Sequence, residues 1–166
     1  MEKMLVEPSE KEFYKLLAVA DYLFGKGAGK NLFPDGIKVM KTKGRIRQVW
    51  LGNEMICAIR ATDGFIVLGR RGAELLHQAV PPPKLRVVVR KDVAQFVAGG
   101  RTVFAKHVVA ADPEIRPGEE VLVVDENDRL LATGKAILSG EEMLTFKSGV
   151  AVKTRRGFYE NKKNSG

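Results

Sequence analysis

Apolar residues recur at helical spacing in one early segment and in short alternating runs almost everywhere else. Phe13, Leu16, Leu17, Ala20 and Leu23/Phe24 follow the i, i+3, i+4 rhythm of a single helix face. Ser9 and Glu12 supply a capping box at its start and Gly25 a stop at its end. Strands are predicted at Ile37–Lys41, Ile46–Leu51, Met55–Ala61 and Phe65–Leu68. Gly52-Asn53 and Asp63-Gly64 between them are hairpin-turn pairs. A short helix over 72–79 completes a helix laid across an antiparallel sheet.

The rhythm changes after Val80-Pro81-Pro82-Pro83-Lys84. Three prolines in a row donate no backbone hydrogen bonds, so 81–84 is predicted to be an extended linker between domains 1–80 and 85–158. Beyond it, Leu85–Arg90 reads as a strand. Asp92 with Gln95 reads as the capping box of a helix whose Val93, Phe96 and Val97 face inward, ended by Gly99-Gly100. Strands follow at Thr102–Val109, Glu120–Val124, Leu130–Ile137 and Val150–Arg155. Ser139 and Glu142 cap one more short helix with Met143 and Phe146 inward. Many short strands with two short helices predict a partly closed β-barrel, so the chain as a whole is α+β. Residues 159–166 form a polar tail.

Composition narrows the function classes. Of 166 residues, 45% are hydrophobic and 29% charged, as in a globular chain. No apolar run approaches the ~18 residues of a membrane-spanning helix, and Met1-Glu2-Lys3 does not open a signal peptide. Cys57 is the single cysteine, so an internal disulfide and a cysteine-based zinc cluster are both excluded. A soluble, cytoplasmic protein without membrane partners, metal or cofactor is expected.

Charge then changes the picture. The net charge is +8, and each half carries +4 (13 basic and 9 acidic residues in 1–80, 15 and 11 in 81–166). Lys38, Lys41, Lys43, Arg45 and Arg47 crowd into ten residues without an acid. Lys147, Lys153, Arg155, Arg156, Lys162 and Lys163 form a second basic stretch opposed only by Glu160. One such run reads as a solvated face. Two runs in two domains, each beside glycine-rich turns, point to a polyanion such as RNA. Lys43, Arg45 and Arg47 alternate, which predicts three cations on one strand face. Gly99-Gly100-Arg101 offers bare backbone N–H groups and a guanidinium to a phosphate.

Catalytic chemistry finds little support. Gly25-Lys26-Gly27-Ala28-Gly29-Lys30 lacks the leading glycine and trailing Ser/Thr of a phosphate loop, and it follows a helix. Cys57 lies within an apolar strand, and His77 and His107 have no partners at ligand spacing. A non-enzymatic chain is expected.

Several segments carry a family resemblance. They are Val103-Phe104-Ala105-Lys106, Asp112, Ile115-Arg116-Pro117-Gly118-Glu119-Glu120-Val121 and Leu130 to Ala136. Glu142-Met143 and Gly149 to Lys153 continue the series. Together they resemble a PUA domain, a small RNA-binding pseudo-barrel, over about 85–157. Asp21-Tyr22-Leu23-Phe24-Gly25, Gly27-Ala28-Gly29, Leu32-Phe33, Gly44-Arg45-Ile46-Arg47, Asp63-Gly64 and Gly72-Ala73 resemble the preceding domain of archaeal tRNA-guanine transglycosylases. Those are the enzymes of archaeosine synthesis, and the chain looks like their C-terminal half standing alone. The resemblance implies a module that holds tRNA for a separate catalytic subunit. In the family the PUA domain grips the acceptor end, a role that falls here on Gly99, Gly100, Arg101, Lys106, Lys153 and Arg155. His107 departs from the apolar residue expected at its strand position and offers an imidazole for stacking or phosphate contact. The family's catalytic barrel and zinc site have no counterpart in these residues. Alternative readings are a PUA factor acting on rRNA, a ribosome or a translation complex, and a protein–protein adaptor that does not bind RNA.

Overall fold

In the computed structural model, which describes residues 4–158, Ser9 caps α1 (Glu10–Phe24) as a complete capping box. The Glu12 N–H donates to Ser9 Oγ at 3.1 Å, and the Ser9 N–H to Glu12 Oε1 at 2.9 Å. The apolar stripe buries Leu16, Ala20 and Phe24. The glycine-rich segment that follows contains α2 (Ala28–Leu32), which the spacing of apolar residues did not reveal. Gly29 explains both the helix pair and the failure of the phosphate-loop pattern. A Cβ at Gly29 would strike the Leu17 carbonyl, and its N–H is taken by Asp21 Oδ1 at 2.6 Å. This glycine lets two helices approach; it does not cradle an anion.

Four antiparallel strands form the first sheet in the order β1 (Lys38–Thr42), β2 (Arg45–Leu51), β3 (Glu54–Ile59), β4 (Ile66–Leu68). α3 (Arg70–Ala79) begins two residues before the sequence expectation and lies against β3, where Gly72 touches the Ile56 carbonyl. Val39, Val49, Ile56 and Leu76 are fully buried in this unit, Met1–Val80. Burying each such side chain stabilises by roughly 1.5–3 kcal/mol, more than any surface ion pair here can.

The second compact unit is Pro81–Gly166. Its proline stretch is not extended: Lys84 and Arg86 N–H groups donate back to the Pro81 and Pro83 carbonyls, folding 82–85 into turns. β5 (Arg86–Val89) leads into a 3₁₀ turn, Lys91–Val93, and α4 (Ala94–Ala98). Asp92 therefore sits inside the 3₁₀ turn and caps nothing; its carboxylate takes the Arg90 guanidinium at 3.1 Å. α4 is only one turn and a half long, so Val97 and Ala98 are buried while Phe96 stays exposed, against expectation.

The strand expected over Thr102–Val109 is broken. β6 (Val103–Phe104) pairs with the late strand β10 (Val150–Gly157), and β7 (Val108–Ala111) pairs with β5. Changing partners turns the chain through a 3₁₀ segment, Ala105–His107, so Lys106 and His107 lie on a turn and not on a strand. β8 (Glu120–Val124), β9 (Leu130–Ala136) and α5 (Gly140–Thr145) complete the unit. α5 carries the capping box foreseen at Ser139 and Glu142, and Met143 is buried. Phe146 is the extended residue after its last turn and is exposed, not inward.

The six strands run β6-β10-β9-β8-β5-β7, curling into a nearly closed, barrel-like sheet in which only β5 and β8 are parallel. Val87, Val89, Val121, Val123, Leu131 and Val152 fill it. Arg86, the first residue of β5, is buried and reaches Asp128 at 3.1 Å. The polar tail expected at 159–166, with Lys162 and Lys163, lies outside the described residues.

Candidate nucleic-acid interface

α4 ends in a Schellman cap. Arg101 N–H donates to the Phe96 carbonyl at 3.0 Å, and Gly100 N–H to the Val97 carbonyl at 2.9 Å, with Gly100 at φ +103°. Gly99 N–H also returns to helix carbonyls. The glycine N–H groups are thus committed within the helix end, and the bare phosphate cradle expected from the sequence is not formed. The cap instead aims the chain at Arg101, whose side chain is exposed.

Two contacts from β10 fix that loop. Thr154 Oγ1 donates to the Arg101 carbonyl at 2.8 Å. Gly157 packs directly on the Ala98 carbonyl and the Gly100 nitrogen, where any Cβ would collide with backbone. Residues 101–106 then run beside 154–149: Val103 is opposite Val152, Phe104 is opposite Val150, and Ala105 N–H donates to the Gly149 carbonyl. Gly99, Gly100, Arg101 and Lys106 therefore lie along the segment that runs beside β10, which carries Lys153.

Arg155 is held differently. The register between β10 and β9 slips between Thr154 and Arg156, leaving Arg155 as an extra residue. Its Nε meets Glu120 Oε1 at 2.7 Å, and that carboxylate is only 7% exposed. Arg156, beside the clamped loop, is exposed. Neither Thr154, Arg156 nor Gly157 was singled out as a site residue from the sequence. The Arg-Arg-Gly triplet was a usable signal, because a glycine late in a strand marks a close backbone approach.

His107 Nδ1 is buried without a hydrogen-bond partner. Burial, then the charges of Arg90 and Lys106, hold the imidazole below its ordinary pKa against the pull of Asp92. At neutral pH the ring is uncharged, and its edge-on contact with Phe104, centroids 5.8 Å apart, makes it part of an aromatic pair.

In the first unit Lys43 and Gly44 form a two-residue hairpin turn, both at positive φ (52° and 77°). Lys43 therefore leaves the strand alternation that the sequence implied, and so does Arg47: Met40 is opposite Gln48 and Lys41 opposite Ile46, which leaves Arg47 as an extra residue in β2. Arg45 and Arg47 both line an open groove of about 820 Å³ between α1 and the ends of β2 and β3. Glu12 in the groove is held below the usual carboxylate range by its bond to Lys41 (2.7 Å) and by the Ser9 N–H. Cys57 is fully buried, and burial pushes its thiol far above the ordinary value, which leaves it inert. No cluster of metal-ligating side chains occurs among the described residues, and none of their helices is long and apolar enough to cross a membrane.

Comparison with known proteins accounts for both units. Residues 14–83 match the patch-forming domain C2 of tRNA-guanine transglycosylase, and residues 85–158 match the PUA domain. The chain is a PUA-domain protein. It is 49% identical over 153 residues to the tRNA-guanine(15) transglycosylase of Pyrococcus furiosus, covering 92% of this chain and 26% of that protein. The Thermococcus kodakarensis enzyme of the same name is 46% identical, with 94% and 27% covered. The chain thus spans about a quarter of the length of the curated relatives it matches. Among solved structures, a hypothetical protein from Pyrococcus horikoshii superposes with TM-score 0.73 at 22% identity, over 98% of this chain and 99% of that one. A PUA-domain protein from Thermoplasma acidophilum gives TM-score 0.62 at 16% identity, over 98% and 99%. Those two likenesses establish the fold. The PUA domain carries the Arg101 loop and β10, and the C2 domain carries Arg45 and Arg47.

Proposed function

We propose that this PUA-domain protein is a tRNA-binding module, an accessory subunit or paralogue serving archaeosine modification in the cytoplasm. It has no catalysis of its own in this reading, and its partners are tRNA and a separate transglycosylase catalytic subunit. The observation that carries the reading is Arg101, exposed at the end of a Schellman cap and clamped from β10 by Thr154 and Gly157. Such a guanidinium is pre-positioned, so little side-chain and loop freedom is lost when it meets a phosphate. The match of both units to transglycosylase relatives in the same order supports tRNA over other RNAs.

The acceptor end is assigned to Arg101, Lys106, Lys153 and Arg156, with Gly99 and Gly100 shaping the cap that presents Arg101, Arg155 held back by Glu120, and His107 offering a neutral ring. Lys43, Arg45 and Arg47 provide a phosphate track on the C2 domain. The test is binding to folded tRNA, to tRNA trimmed of its unpaired 3′ end, and to unrelated duplex RNA across salt. Trimming should cost affinity in the parent and much less in Arg101→Ala. Equal losses in both proteins place the 3′ end elsewhere. Equal affinity for tRNA and duplex RNA sinks the tRNA assignment, and the absence of affinity and salt dependence would mark a protein–protein adaptor.

A further inference from the structure

The groove of the C2 domain has a chemistry that a phosphate track alone does not need. Its wall carries Tyr22, 79% exposed, with its ring centroid 6.3 Å from that of Phe65. An aromatic side chain this open contributes little to the core. The Arg60 guanidinium lies over the Phe65 ring at 5.6 Å, and Asp63 fixes its plane through two bonds, Nε–Oδ1 at 3.1 Å and Nη2–Oδ2 at 2.6 Å. A guanidinium fixed over one ring, with a second, open ring tilted 53° to the first, offers a nucleobase a face to stack on and an aromatic edge beside it.

The charges around it are complementary to a nucleotide. The two acids that line the groove are both engaged, Glu12 with Lys41 and Asp63 with Arg60. Lys15, Arg45 and Arg47 line the same groove and have no carboxylate partner among the described residues. The groove therefore presents an aromatic–guanidinium platform together with cations that are free to meet phosphate.

We propose that this groove is a slot for a single unpaired nucleotide of an RNA chain, its base stacked on the open Tyr22 ring with the tilted Phe65 ring at its edge, and its phosphate met by Arg45 and Arg47. The slot rests on the reading that the C2 domain touches RNA, and it adds that the contact is with an unstacked base. A continuous duplex would present only its backbone here, because its bases are stacked on one another.

The experiment uses the full chain and two probes of equal length. One is an RNA hairpin with a single bulged 2-aminopurine, and the other is the same hairpin fully paired. Tyr22→Ala, at so exposed a position, should leave the melting curve unchanged. It is expected to weaken the bulged probe about 5- to 150-fold and to leave the paired probe unaffected. Quenching of 2-aminopurine on binding should disappear in the same variant. Phe65→Leu, which keeps an apolar residue, should show the same selectivity with smaller loss. Unchanged affinity for both probes, or equal loss for both, would overturn the slot. A parent that binds tRNA while Tyr22→Ala changes neither probe refutes the slot alone. A parent that binds the bulged probe but not tRNA refutes the tRNA reading and keeps the slot.

Discussion

The hairpin that carries Lys43, Arg45 and Arg47 and the strand β10 that carries Lys153, Arg155 and Arg156 look alike as strings of cations. They differ in what holds them. At the hairpin, a local two-residue turn sets the backbone, and none of the three cations has a carboxylate partner among the described residues. On β10, Arg155 is bound to Glu120 from a strand two places away, and the neighbouring loop is fixed by Thr154 and Gly157. Counting basic residues along the chain therefore overstates the charge available on β10. Burial and ion pairing, not number, decide which cations can meet RNA.

The largest effect should come from a cation that is wholly structural. Arg86 is 2% exposed and its partner Asp128 is 36% exposed. Asp128→Asn keeps a residue that tolerates the positive φ of 61° and removes the charge. Loss of one partner of a buried pair costs about 3–5 kcal/mol, and the open side of Asp128 puts this case near 3. Denaturant titration should show that loss, while the salt slope of tRNA binding stays that of the parent below the melting range.

Next comes the clamp. Gly157→Ala drives a Cβ into the Ala98 carbonyl and the Gly100 nitrogen, both backbone atoms that cannot rotate away. Overpacking of this kind costs about 1–3 kcal/mol. Because the clamp also positions Arg101, tRNA affinity should fall at temperatures where the protein is still folded. The hairpin cations should be indifferent to this change, which a paired comparison with the Arg45→Glu/Arg47→Glu double variant would reveal. Full tRNA affinity in the folded Gly157→Ala protein would separate the clamp from binding.

The contrast between Arg155 and its neighbours is the sharper measurement. Arg101→Ala and Arg156→Ala should each lower the log–log salt slope of RNA binding by about 0.7–0.9, one phosphate contact apiece. Arg155→Ala should lower stability by about 1 kcal/mol, since its pair with Glu120 is partly solvated, with a much smaller change in slope. A full unit of slope lost with Arg155 would mean that RNA displaces Glu120, and the distinction between free and engaged cations would fail there.

Much of the architecture was legible because local chemistry agreed with it. Two of the three expected capping boxes, at Ser9/Glu12 and Ser139/Glu142, form as read while that at Asp92/Gln95 does not, and the four strands of the first sheet fall within a few residues of their expected bounds. What the sequence hid is non-local. The break of the Thr102–Val109 strand follows from its change of partner from β10 to β5. α2 escaped notice because three glycines obscure its period, although Gly29 is required by the approach of α1. At the candidate site, Arg101 was visible in the Gly-Gly-Arg string, but the reason offered for it was wrong. Gly100 serves a positive φ in the helix cap, and its N–H is spent on Val97. Thr154 carries no sequence signal and Gly157 only that of a glycine late in a strand, since their role exists only once β10 lies against α4.

His107 should give the smallest effect, and it bears on the same distinction between free and engaged charge. Its folded pKa lies below the ordinary 6.5, from burial first and then from Arg90 and Lys106. As pH falls through 6.5 the unfolded chain takes up the proton before the folded one does. The stabilisation is therefore full above about 6.5 and is lost as pH drops from there toward the folded value. Glu12 and Asp63 are depressed carboxylates, so their contributions fade only below the ordinary values of 4.5 and 3.8 and leave this window clear. Denaturant midpoints at pH 7.5 and 5.5 should differ in the parent and converge in His107→Gln, with tRNA affinity at pH 7.5 little changed. If His107 instead meets a phosphate, bound RNA raises its pKa. Affinity would then climb as pH falls in the parent and not in His107→Gln, and the imidazole would join Arg101 among the cations that RNA recruits.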